Sequence, residues 1–376
     1  MTEVGLFGID RPPIVLLAVI ASAFFVGFGG GVVFPILPNL GAVLGISAFM
    51  VGVILSANRW VRLVANAPAG ALVDRHGTRK PFVIGLFVEG VATLGYVVAL
   101  AMPAAESLHP LATSLPTLAA GPLAVGTEGW FAAIAVVVAY RYVPETHVTS
   151  DRSGDSIRPW DVDTAVPAVT VGLVTFGLMF AYIGALFSTL VLFLGANDIS
   201  LYGLAPQGAS GLFMAGTVLS AALFTFVGGR ISDTRDSRTP ILLTFLVVSF
   251  VGFLLLARAG SVVSLGLACV FIGAGQGGTS GPMMALLADL TPDERMGRAS
   301  GTNNVLGDVG GGLGPMVSLP LTEAVGFAPV YAACAVLPPA AGAVLLLGVR
   351  RETGTFLPGR TAGETEPGDG STPAEA

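Results

Sequence analysis

The chain has 376 residues, of which 53% are hydrophobic and only 11% charged, and its mean hydropathy is +0.80. A soluble domain carries about 25% charged residues, so this chain cannot cover a water-facing surface and most of its exterior must face lipid. Its formal net charge of −6, with no basic block, gives no sign of a nucleic-acid partner.

Apolar runs predict ten transmembrane helices, because a spanning helix needs about 20 mostly apolar residues. An eleventh apolar segment, 107–126, is broken by three prolines, and we expect it to lie at the outer interface or dip into it without crossing. The fold class predicted is therefore an all-α, polytopic membrane helix bundle. The ten runs lie at about 14–38, 47–72, 81–102, 129–143, 166–194, 208–229, 239–257, 262–288, 299–321 and 327–349.

The basic residues predict how these helices are oriented. Lys and Arg are retained on the cytoplasmic side of a membrane. If the loop after Asp74 is cytoplasmic, 15 of the 18 Lys and Arg residues also lie inside. The sequence therefore predicts a multi-pass protein of the cytoplasmic membrane, with both termini and the loops at Asp74 and Asp233 facing the cytoplasm.

Polar stretches divide the chain into two bundles. Residues 144–164 are rich in Asp, Ser and Pro and are typical of a cytoplasmic linker. The linker separates a first bundle, 1–143, from a six-helix second bundle, 165–351. Residues 352–376 have the composition of a disordered tail.

A repeated polar hairpin indicates that the two bundles are related. Asp74 matches Asp233 at an offset of 159 residues, and the later match of Gly121-Pro122 with Gly314-Pro315 has an offset of 193. The offset grows by 193 − 159 = 34 residues, and to 38 at Gly129 and its match. The first bundle is therefore expected to lack one to two helices. Repeated halves of this kind are typical of transporters.

The hairpins resemble the signature loop of the major facilitator superfamily. The match includes Pro35 and Pro38, which are similar to the Pro-x-x-Pro of its drug–proton antiporter branches. The resemblance implies alternating access of two halves around a central cavity, with the hairpin Asp closing the cytoplasmic side against nearby basic groups. The residues that carry the hairpin match are Gly70, Asp74, Arg75, Gly77, Arg79 and Lys80, with Gly229, Asp233 and Arg238 in the second copy.

Ionisable groups inside apolar runs are candidates for function, because a charge at mid-membrane is costly. Arg59 and Arg62 share one helical face, and Glu89 lies at a depth where it can pair with one of them. Such a pair is either structural or an anion or proton site. Asp308 is a candidate coupling site, or else it is water-exposed among the glycines that surround it.

Polar amides accompany these charges inside the predicted helices. Asn303 and Asn304 lie within about a turn of Asp308, and Gln276 is a candidate cavity residue.

Two motifs of enzymes also occur, but in the wrong context. Gly273-x-Gly275-x-x-Gly278 matches a dinucleotide fingerprint, yet it lies within an apolar run, where close helix packing is the better explanation. Gly208-Ala-Ser210-Gly211 is similar to the nucleophile motif of rhomboid proteases, but no histidine follows it to act as a base. Cys269 and Cys334 are expected to be packing residues.

We therefore expect a membrane transporter without enzymatic activity, cofactor or metal. Its expected partners are a small-molecule substrate, the lipid bilayer and a proton or another coupling ion. Export of a small apolar compound is the favoured function. Uptake of a metabolite by the same fold, or a non-transporting paralogue, are the alternatives.

Overall fold

The structure is a computed structural model of the chain, which describes residues 46–76, 163–235 and 237–358 and a few isolated positions between 35 and 88. Within these ranges it contains seven long helices. They are α1 (Ala48–His76), α2 (Val166–Ala196), α3 (Pro206–Asp233), α4 (Thr239–Ala257), α5 (Val262–Asp289), α6 (Asp293–Val325) and α7 (Phe327–Thr353).

The helix ends follow from local chemistry. Pro206 opens α3 at a position where no amide donor is needed. Ser261 and Ser264 form a reciprocal capping box before α5, each side chain accepting a hydrogen bond from the other residue's amide. Gly354 adopts a left-handed conformation (φ 75°) directly after α7, which ends the helix.

Predicted and observed helices agree closely in the described ranges. The predicted run 239–257 coincides with α4, and the runs at 166–194, 208–229, 262–288 and 327–349 lie inside α2, α3, α5 and α7. The predicted runs 14–38, 81–102 and 129–143, and the segment 107–126, lie largely or wholly outside the described residues. The expectation of a shortened first bundle therefore stays a prediction.

Six of the described helices are long and apolar enough to cross a bilayer: α2, α3, α4, α5, α7 and the Ala48–Ala65 part of α1. Helix α6 has 33 residues and contains the predicted run 299–321, but it is more polar than the others. Its Asn, Asp and Thr side chains lower its hydropathy, and these are the residues that form the polar contacts described below.

The chain divides into two compact units, Met1–Val51 with Trp60–Trp160, and Gly52–Arg59 with Asp161–Ala376. In the second unit α5 packs between α3 and α4, α6 lies along α2, and α7 contacts α2 and α4. Its apolar core lies where α2, α4, α5 and α7 meet. The bundle limits 1–143 and 165–351 remain predictions, but residues 52–59 of α1 pack with the second unit.

Glycines set the spacing of these helices. A Cβ on Gly277 would clash with the backbone of α3 at Ala221, and one on Gly275 would lie 2.5 Å from the Ser249 side chain of α4. The glycine string in α5 that matched a dinucleotide fingerprint therefore lets three helices approach closely, as small residues do in membranes.

Candidate functional site

The candidate site lies in the second unit, where α1 meets α6. The two helices run antiparallel there. A Cβ on Gly52 would lie 2.7 Å from the Met316 Cα, and Ser56 donates a hydrogen bond from its Oγ to the carbonyl oxygen of Gly312 at 2.5 Å. Backbone contact of this closeness fixes the register of the two helices. It also fixes which side chains meet further along them.

The same register brings Arg59 to Asp308. The Arg59 Nη1 lies 3.0 Å from the Asp308 Oδ1, and the two side chains are 21% and 5% exposed. Asp308 lies near the middle of α6. The structure thus joins two of the candidates from the sequence, 249 residues apart, into one largely buried ion pair.

The glycines around Asp308 have a different effect from the one considered from sequence. They do not leave the carboxylate open to water, since Asp308 is buried. A Cβ on Gly311 would lie 2.7 Å from the Arg59 Nε, and one on Gly310 would clash with the backbone of Phe176 in α2. The missing side chains let the guanidinium and the neighbouring helix come close to the carboxylate.

A second polar contact joins α2 to α6 one to two turns away. Thr175 donates a hydrogen bond from its Oγ1 to the Asn303 Oδ1 at 2.6 Å, and the Asn303 side chain also approaches the Met284 sulfur of α5 at 3.6 Å. Asn303 is buried, whereas Asn304 is exposed. Asn303 therefore belongs to the helix contact and Asn304 presents its amide on the surface of α6.

Helix α2 is distorted beside this contact. Over Phe180–Phe187 it forms a π-helical segment, a feature common at functional positions of helices. Ser188 and Thr189 donate hydrogen bonds to the carbonyls of Gly184 and Ala185, and Gly184 lies against Gly314 of α6. The segment lets α2 and α6 touch backbone to backbone.

The second copy of the hairpin is held by an arginine. Asp233 is the last residue of α3 and Arg238 immediately precedes α4, so only five residues separate the two helices. Arg238 donates from Nε to the Asp289 Oδ2 at 2.5 Å and from Nη1 to the Ser232 Oγ at 3.0 Å, while the Asp233 Oδ1 is 3.4 Å away. Its main partner is therefore Asp289, at the end of α5.

This network keeps the arginine charged. The hydrogen bond and charge of Asp289, with a smaller contribution from Asp233, raise the pKa of Arg238 against the opposing effect of burial. Because the folded-state pKa is raised, its stabilising contribution is complete at physiological pH and is lost only in strong alkali.

A third ion pair lies at the start of α2. Asp163 is 6% exposed, and its Oδ1 accepts from the Arg295 Nη2 of α6 at 2.5 Å and from the amide of Ala165 at 2.8 Å. The Thr302 Oγ1 accepts from the Asp163 amide at 2.7 Å. The end of the predicted linker is thereby fixed to α6.

The remaining candidates are placed as follows. Gly70, Asp74 and Arg75 lie in the last two turns of α1, so the first predicted hairpin begins inside a helix. Arg62 is exposed on α1, Gln276 is half-buried on α5, and Gly229 lies in the last turns of α3. Lys80 is exposed in a helical position. Glu89, Gly77 and Arg79 lie outside the described residues, and so does the proposed pairing of Glu89 with Arg59 or Arg62.

Sequence reasoning missed Ser56, Thr175 and Asp289. A polar residue at the end of an apolar run, as Asp289 is, was the one available signal, because it must lie at the membrane surface. The glycines of the rhomboid-like string lie in the first turns of α3, where Ser210 is fully buried and donates to the Gln207 carbonyl. Cys269 and Cys334 are buried free thiols.

Within the described ranges, no three His, Cys, Asp or Glu side chains come together as metal ligands would. The arrangement is instead a bundle of apolar helices that carries buried charge pairs inside and at one end. This is the construction of a membrane transporter.

The family is established by sequence. A family model described as Major Facilitator Superfamily matches residues 19–151 and 169–369, so the chain belongs to this superfamily of transporters and is not an enzyme. A search of curated proteins finds no matching sequence.

Solved structures share the fold. A mutant of the nucleoside transporter NupG has a TM-score of 0.63 at 14% identity, covering 89% of this chain and 99% of its own. A bacterial homologue of the human lysosomal transporter Spinster gives 0.49 at 13% identity, covering 90% and 96% of the two chains. A variant of the E. coli fucose:proton symporter FucP gives 0.43 at 16% identity, covering 90% and 93%.

Proposed function

We propose that this protein is a secondary transporter that exports a small, largely apolar compound across the cytoplasmic membrane by alternating access. The observation that carries the proposal is the Arg59–Asp308 ion pair, 3.0 Å long and largely buried between helices that come from different halves of the sequence. Charges at this depth are expensive and are retained where they serve a pathway or a relay.

The pair has the properties of a switch between two states. Helix α1 comes from the first half of the sequence and α6 from the second, so a rocking of the halves has to break or slide their contact. Protonation of Asp308 would remove the negative charge that holds the Arg59 guanidinium, and so would bias that movement. We propose Asp308 as the proton-binding residue and Arg59 as the residue that senses its charge, with Arg62 and Gln276 as candidates for contact with the substrate.

We further propose that the two hairpins close the cytoplasmic side. The Arg238 contacts with Asp233 and Asp289 support this role for the second hairpin, because a charge-assisted contact at the surface can form and break within a transport cycle. For the first hairpin the proposal rests on the family motif around Asp74. The direction of residues 52–59, antiparallel to α6, supports a cytoplasmic location for the end of α1.

The test is transport by purified protein in proteoliposomes. An outward-directed flux of apolar fluorescent dyes that depends on an imposed pH gradient is expected for the wild type. Asp308→Asn should abolish the dependence on pH, and Arg59→Gln should slow flux at every pH. Asp198→Asn is the matched control, because Asp198 is exposed in the loop after α2 and its positive φ of 50° suits Asn equally well. A normal pH response in Asp308→Asn would remove the proposed proton site.

Uptake of a polar metabolite is the second candidate. The amides of Asn303 and Asn304 and the Thr175 hydroxyl favour it, since they provide hydrogen bonds that an apolar compound does not use. The fold shared with a nucleoside transporter makes labelled nucleosides the first substrates to test. Inward flux of nucleosides without dye export would replace the export proposal. Absence of any flux from stably folded protein would favour a non-transporting paralogue.

A further inference from the structure

An apolar groove on the surface of the second unit has no part in the proposed transport cycle. It lies between α4 and α7 and has a volume of about 400 Å³. Every residue that lines it is apolar, and Val247 at its edge is 59% exposed. The residues that define it are Leu243, Val247 and Phe250 of α4 and Pro339, Ala343 and Leu346 of α7.

The floor of the groove exists because of a glycine. A Cβ on Gly342 would lie 3.3 Å from the Leu243 side chain and 3.7 Å from that of Leu246. Along α4 the groove extends from Leu243 to Phe250, which is about 10 Å of helix. It is therefore a narrow, elongated channel of the shape that a hydrocarbon chain fills.

One end of the groove carries positive charge. The loops that join α4 to α7 are short, so α7 ends on the side of the unit where α4 begins. Arg350 follows Ala343 by seven residues and Leu346 by four, which places it on the same face of α7, about one turn beyond the groove. Arg350 and Arg351 are both exposed.

The chain that follows α7 shapes this end further. After Gly354 turns it, the Phe356 ring lies 4.8 Å from the Arg350 guanidinium carbon. Phe356 and Leu357 are 43% and 56% exposed, which suits the boundary between hydrocarbon and water. An arginine stacked on an aromatic ring keeps its N–H edge available to a phosphate.

We propose that the groove binds one anionic glycerophospholipid of the cytoplasmic leaflet. One acyl chain lies between α4 and α7, and the phosphate contacts Arg350, with Arg351 adding to the local charge. The occupant is chosen by this combination, since an apolar channel and a basic, aromatic-flanked end match the two parts of such a lipid. A zwitterionic lipid would fill the channel equally well but gain less from the arginines.

The test is lipid titration of the delipidated full-length protein, followed by native mass spectrometry. Phosphatidylglycerol and phosphatidylcholine with identical acyl chains are the two probes. The wild type is expected to bind the first phosphatidylglycerol at least five-fold more tightly than phosphatidylcholine. Arg350→Gln should weaken phosphatidylglycerol binding about five-fold, equivalent to about 1 kcal/mol, and leave phosphatidylcholine unchanged. Arg258→Gln is the matched control, because it removes one exposed arginine at the opposite end of α4.

A second variant tests the groove itself. Ala343→Phe fills the channel without a change of charge and should weaken both lipids, whereas Ala333→Phe, at an exposed position elsewhere on α7, should affect neither. Equal affinity of both lipids in the wild type, or no effect of Arg350→Gln and Ala343→Phe, would overturn the proposal. A protein dimer that Ala343→Phe dissociates would also overturn it, because a second copy would then be the occupant.

Discussion

The Arg59–Asp308 pair allows the sharpest test of the architecture, because either charge alone has no other compensation of this kind in view of its burial. At a separation of 3.0 Å the direct attraction is about 5 kcal/mol for an effective dielectric constant of about 20. Desolvation of the two groups offsets most of this gain. The pair as a whole should therefore contribute little net free energy of unfolding.

Removal of one partner is a different matter. It leaves the other charge in a poorly solvated place, which costs about 3–5 kcal/mol in buried pairs. Because the Arg59 side chain is 21% exposed, we expect the lower end of that range. Asp308→Asn and Arg59→Met should each lower the free energy of unfolding by about 3 kcal/mol, more than a hundred-fold in the unfolding constant.

The double variant Arg59→Met with Asp308→Asn removes both charges and should lose much less than the sum of the two. A coupling free energy of about 2–3 kcal/mol is expected in the double-mutant cycle. The measurement is equilibrium unfolding in mixed micelles with a rising fraction of sodium dodecyl sulfate, followed by circular dichroism. Additive single effects would show that the two side chains do not form a pair in the membrane and would refute the reasoning.

Three further predictions concern packing and the two other ion pairs, and all use the same unfolding measurement. Gly184→Leu should cost several kcal/mol because its side chain would enter the backbone of α6, whereas Gly216→Leu, which has open space around it, should be neutral or slightly stabilising. Arg238→Lys should lower stability by about 1–2 kcal/mol because an ammonium cannot reach all of the acceptors that the guanidinium contacts, and equal tolerance of Arg238→Lys and of the exposed Arg235→Lys would contradict this. Asp163→Ala should cost more than Asp163→Asn, since Asn keeps the oxygen that accepts from the backbone at the start of α2 while both lose the charge, and identical losses would exclude that hydrogen bond.

The local sequence determined the helices and their arrangement in the membrane. Apolar runs of about 20 residues predicted α4 from its first to its last residue and four others to within a few residues at most ends. The hairpin motif at Asp74 and Asp233 indicated the superfamily that the whole-chain match then established. Hydropathy and loop motifs are properties of neighbouring residues, so they are legible without a tertiary structure.

Contacts between helices were decided by the tertiary structure alone. The sequence placed Arg59 and Asp308 inside the membrane but suggested Glu89 as a partner for one of the arginines, and it gave no partner at all for Asp308. Arg238 was expected to act with Asp233, whereas its shortest contact is with Asp289 on α5. Which side chains meet depends on the rotation and register of each helix against its neighbours. Glycine contacts such as Gly52 on Met316 fix that register, and they act between residues hundreds of positions apart.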